Sequence, residues 1–60
     1  MTTTRELLEF CKTKVKEHPN LRSSIIDIYS LALSEINDGE STLNECELAV
    51  NSIEEMIDAD

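Results

Sequence analysis

An all-α fold, a small three-helix bundle built on an antiparallel helical hairpin, is what this sequence predicts, and three observations carry the expectation. A single Gly, a single Pro and few β-branched runs favour helix over strand. Apolar residues recur at steps of three and four through three segments. The segments are divided at Pro19 and at Asp38-Gly39, each a helix-breaking signal. With 60 residues there is material for one domain, predicted as helices over 3–17, 19–37 and 42–58. So short a chain leaves a monomer marginal, and dimerisation is one remedy. An apolar content of 40% with regular spacing argues against disorder despite a net charge of −8.

Helix one opens on Thr3-Thr4-Arg5-Glu6, a capping box in which the Thr3 hydroxyl accepts from the Glu6 amide and Glu6 reaches back. Leu7, Leu8, Cys11 and Val15 then fall on one face. Lys12, Lys14 and Lys16 suit the negative end of the helix dipole. Pro19 cannot continue the helix, which should stop near Glu17 or His18, yet Pro19 is a good first residue for the next.

Helix two is the widest apolar element, with Leu21, Ile25, Ile26, Ile28, Tyr29, Ala32, Leu33 and Ile36. Such a stripe can cover two neighbours, which makes it the central helix. Asn37-Asp38-Gly39-Glu40 supplies the turn, with Gly39 suited to a left-handed conformation. Ser41 or Thr42 caps helix three, and Thr42 with Glu45 reads as a second capping box. Leu43, Cys46, Val50, Ile53 and Ile57 form an a/d seam on that helix. The predicted core is therefore Leu8, Cys11, Val15, Leu21, Ile25, Tyr29, Ala32, Leu33, Ile36, Leu43, Cys46, Val50, Ile53 and Ile57. Phe10, Leu31, Leu48 and Met56 do not fit these stripes cleanly, though Phe10 and Met56 sit near their edges. They read either as scattered surface residues or as an apolar interface for a homodimer or a partner groove.

Charge divides the chain unevenly. All five basic residues, Arg5, Lys12, Lys14, Lys16 and Arg22, precede position 23, while ten of the thirteen carboxylates follow it. A field of one sign repels nucleic acid and membrane surfaces and attracts basic protein surfaces. Helix three would be the recognition helix of a helix-turn-helix, but it carries no Lys or Arg to contact phosphate, so direct nucleic-acid binding is not expected. Glu47, Asn51, Glu54 and Asp58 recur at steps of 4, 3 and 4 and form an acidic ridge on helix three. Neighbours on such a ridge lie about 5–6 Å apart, so the ridge reads either as a solvated helix face or as a mimic of a phosphate strand.

Catalysis and metal binding find little support. The one histidine, His18, sits in a turn, and Cys11 and Cys46 lie on apolar stripes among carboxylates that raise a thiol pKa. Aligning Gly39 with the sixth position of a calcium loop places Ile36 at the third, where an oxygen ligand is required. Cys11, His18 and Cys46 follow no zinc spacing. The expectation is a non-enzymatic protein without cofactor or metal. No stretch approaches the roughly 20 apolar residues of a membrane span, and Met1 to Glu6 lack a signal-peptide pattern, so a cytoplasmic location is expected. In that compartment the two cysteines read as small buried hydrophobes, with a bridge under oxidation as the alternative.

The stretch Glu17-His18-Pro19-Asn20-Leu21-Arg22-Ser23-Ser24-Ile25-Ile26-Asp27-Ile28-Tyr29, with Asn44-Glu45-Cys46-Glu47-Leu48-Ala49 later, resembles small accessory proteins of large tailed bacteriophages, a group of short, acidic and uncharacterised proteins. Several with known roles bind and redirect host proteins. The resemblance thus implies a host-directed, protein-binding modulator or inhibitor working in the host cytoplasm, and it assigns no functional residue.

Overall fold

The computed structural model describes residues 3–60. Met1 and Thr2, on which part of the argument against a targeting signal rests, lie outside the described residues. Among the described residues there are three α-helices and no strand: α1 over Thr4–Glu17, α2 over Arg22–Asn37 and α3 over Thr42–Ala59. The radius of gyration of 10.8 Å lies close to the roughly 10 Å of a packed chain of this length. The helices are folded against one another, not strung out.

Helix ends follow their local chemistry. Thr3 caps α1: its hydroxyl accepts from the Glu6 amide at 3.2 Å and donates to the Glu6 carboxylate at 3.1 Å. The helix stops at Glu17, and the His18 amide closes it on the Lys14 carbonyl at 2.8 Å. The second element differs from a single helix over 19–37. Pro19–Leu21 form one tight 3₁₀ turn, and α2 begins only at Arg22. Leu21, at φ −102° and ψ 8°, is the joint between the two. The Leu21 amide closes that turn on the His18 carbonyl at 2.9 Å, an i→i+3 bond, and the departure of Leu21 from helical angles separates the turn from the regular helix.

Gly39 takes φ +107° in the connection to α3, as a position just past a helix end demands. The Gly39 amide donates to the Ile36 carbonyl and the Glu40 amide to the Glu35 carbonyl, each at 3.1 Å. Ser41, not Thr42, caps α3 by accepting from the Asn44 amide at 3.3 Å. The expected Thr42–Glu45 box does not form, because Thr42 already belongs to the helix and the side-chain cap is the single Ser41–Asn44 bond. Ser41→Ala should cost about 1 kcal/mol. In a thermal melt followed at 222 nm that is roughly a 4–8 °C fall; an unchanged midpoint would count against the cap.

Long-range marks fix the topology. Ile28, Ala32 and Glu35 of α2 share a groove with Ser52, Leu48 and Glu45 of α3, one chain rising as the other falls. The Asn20 amide donates to the Asp60 carboxylate at 3.2 Å, closing the same antiparallel register at the far end. The Cys46 thiol meets the Thr3 carbonyl at 3.6 Å, and Lys14 shares a surface concavity with Ile57 and Asp58. So α1 runs parallel to α3 and antiparallel to α2, contacting both, as expected of a helix laid over the hairpin seam.

The core is small. Leu7, Cys11, Ile25, Ala32, Cys46, Ala49 and Ile53 are buried, with Phe10, Val15, Leu21, Ile28, Tyr29, Ile36, Val50, Met56 and Ile57 packed around them. Four sequence expectations change. Leu7 takes the fully buried place and Leu8 is half-buried, because the face of α1 is turned toward α3 as well as α2. Leu43 is 46% exposed, since α1 starts level with Cys46 and Leu43 projects one turn beyond it. Ala49 joins the core because α3 serves two neighbours, and an a/d seam describes contact with only one. Leu33 is half-buried and stands outside the packed cluster.

Candidate functional site

The ridge residues Glu47, Asn51, Glu54 and Asp58 are all exposed on α3. They lie on the flank that faces α1, because Glu54 and Asp58 border a concavity with Ile57 and Lys14 of α1. Lys14 is held in place twice. Its ammonium pairs with Glu17 at 3.2 Å and stands 5.5 Å from the centre of the Phe10 ring. The C-terminal half of the ridge therefore has a cation beside it, and Glu47, two turns earlier, is more remote from that cation. Sequence spacing could not show this, since it rests on the register between α1 and α3.

The four apolar residues separate into two pairs. Phe10 and Met56 pack against the core, so they do not belong to an exposed apolar interface. Leu31 and Leu48 remain 63% and 52% exposed. They face each other across the outer groove between α2 and α3, on the side of the hairpin away from α1. Ala32 and Ala49, 5% and 4% exposed, form its floor. Glu35 and Glu45, both half-buried, occupy its end near the turn. The groove encloses about 290 Å³ and is open to solvent. A larger concavity, bordered by Arg5, Glu9, Phe10 and Thr13, is lined by α1 alone and is a helix surface, not an enclosed site.

Both thiols are free and buried. Burial pushes the Cys11 thiol up, and burial, with Glu6 and Glu45 nearby, pushes the Cys46 thiol up. Neither setting favours a thiolate. The thiols occupy different layers. Cys46 lies level with Thr3, and Cys11 is eight residues further along α1, about 12 Å at 1.5 Å per residue. A disulfide needs Cα atoms within about 7 Å, so the bridge allowed by sequence alone is not available to this fold. His18 sits half-buried at the α1–α2 junction, with its backbone, not its ring, making the cap. Among the described residues no group of three His, Cys, Asp or Glu side chains converges as a metal-ligand set. Among the described residues no helix is long and apolar enough to cross a membrane.

No protein-family model, curated protein or solved structure matches this chain.

Proposed function

We propose that this protein is a small acidic, non-enzymatic binding module that occupies a basic surface of a larger protein in the cytoplasm. The observation that supports this reading is the exposed row Glu47, Asn51, Glu54 and Asp58 on a helix hairpin that carries no Lys or Arg after Arg22. Folding does not call for these carboxylates: none of them caps a helix, and none is buried. Neighbouring ridge positions lie about 5–6 Å apart, with the neutral Asn51 between Glu47 and Glu54. The row can therefore follow a phosphate strand with one charge missing, and a nucleic-acid-handling protein is the sharper form of the target. The resemblance to phage accessory proteins makes that target a host protein. The competing reading, a homo-oligomer, draws on Leu31 and Leu48, the two large residues of the apolar quartet that stay exposed.

Salt separates the two. Capture of a basic protein from bacterial lysate should collapse between about 0.05 and 0.5 M salt, where the Debye length falls several-fold, whereas apolar self-association should persist. Glu47→Lys with Glu54→Lys should abolish the capture. Retention of the same protein by the doubly reversed chain would remove the ridge as the contact.

A further inference from the structure

The outer groove of the α2–α3 hairpin carries an inference beyond the ridge. We infer that it is a docking site for one amphipathic helix of a partner protein, two to three turns long, with leucine-like residues on its inner face and Lys or Arg beside them.

Shape comes first. Ala32 and Ala49 make a low floor between two helices, while Leu31 and Leu48 rise as walls on either side. Small floor residues let a third backbone approach closely, and a helix laid between two helices is the arrangement that ridge-into-groove packing favours. From Ile28 to Glu35 the groove spans eight residues of α2, about 10 Å from first to last. That length accepts two apolar side chains one turn apart.

Charge then selects the occupant. Glu35 and Glu45 flank the groove at its turn end, and Asp38 and Glu40 of the connection lie at the same end. From Ser23 to Asp60 no cation is available to answer them. No Lys or Arg lines the groove, so a second copy laid over it in either direction brings no cation from its own groove to Glu35 and Glu45, whereas a partner helix can supply one. An anionic lipid surface or a nucleic acid is repelled in the same way. A helix bearing Lys or Arg next to its apolar stripe meets both demands: its leucines cover Leu31 and Leu48, and its cations meet Glu35 and Glu45.

The test uses the intact chain and a labelled synthetic peptide of roughly 16 residues, long enough to keep its two to three central turns helical, with Leu at i, i+4 and i+7 of those turns and Lys on both flanks. Fluorescence anisotropy should show saturable one-to-one binding that weakens on adding salt. Leu31→Asp and Leu48→Asp, at exposed positions that leave the helical spectrum unchanged, should each weaken it about tenfold or more. Glu35→Gln with Glu45→Gln should flatten the salt dependence. Glu47→Lys with Glu54→Lys, on the other flank of α3, should leave it within about threefold, so the groove and the ridge fail or stand separately. Three results would overturn the proposal: no saturable binding, binding indifferent to both Leu→Asp variants, or a wild-type dimer in sedimentation that Leu48→Asp converts to monomer. The last would make the occupant a second copy.

Discussion

Ile53→Ala should remove about 3 kcal/mol of stability, a large part of what holds this chain folded. Ile53 is fully buried, and among the described residues Leu7, Ile25 and Cys46 are the other side chains so enclosed. Truncating a buried isoleucine to alanine costs about 2–5 kcal/mol, because the lost transfer energy is joined by a cavity that the surroundings only partly fill. Natural domains hold roughly 0.05–0.15 kcal/mol per residue, which for 60 residues places the whole stability near 3–9 kcal/mol. Urea denaturation with a slope of about 1 kcal/mol per molar should therefore show the midpoint moving down by about 3 M, or no folded baseline at all. Ile53→Val should lose about 1 kcal/mol. Leu31→Ala, at a position 63% exposed, should stay within about 0.5 kcal/mol. Were Ile53→Ala as mild as Leu31→Ala, the core would not be where the helices place it.

The class of fold was legible because the signals that define it are local. Caps at Thr3 and Ser41, the stop at Glu17 before Pro19 and the positive φ of Gly39 are decided by a few neighbouring residues. Single-helix periodicity also located most of the stripe on each helix. What it could not supply is rotation and stagger. Whether Leu7 or Leu8 is buried depends on the direction from which two neighbours approach α1. The exposure of Leu43 depends on α1 beginning level with Cys46, a fact about two helices at once. Ala49 was missed because it lies off the a/d seam of α3, and the groove it shares with α2 gives it a role.

The same distinction governs the surface. The acidic ridge can be read from spacing on α3 alone, and its members are exposed as spacing implies. Its partial compensation by Lys14 comes from the parallel register of α1 and α3. The groove was half visible: Leu31 and Leu48 stood out as misfits while Phe10 and Met56 fell near the stripe edges, but nothing in a linear reading joined Leu31 to Leu48 across the hairpin. Long-range register, not residue type, turned four stray apolar residues into two core contacts and one groove.

Cysteine labelling probes that register directly. In the native protein both thiols should react with an aromatic disulfide reagent about 10²–10⁴ times more slowly than in urea, because each must wait for the bundle to open. That span corresponds to roughly 3–6 kcal/mol of opening free energy, the scale expected for the whole domain. Mild oxidation of the native protein should yield no intramolecular bridge, since Cys46 lies level with Thr3 while Cys11 is eight residues further along α1. A rapid loss of two hydrogens by mass spectrometry would place the cysteines in one layer and overturn the parallel packing of α1 on α3. The pH dependence follows from the same burial. Both folded thiols are pushed up, so each remains neutral at a pH where the unfolded thiol ionises. Their contribution is complete below the unfolded value of about 8.5 and is lost as pH rises through the higher folded value. Stability should thus fall on the alkaline side, and Cys11→Ala with Cys46→Ser should flatten that fall. Serine keeps a donor for the Thr3 carbonyl without a thiol to ionise, so the alkaline slope, compared between the two proteins, isolates the thiols from the other groups that titrate there.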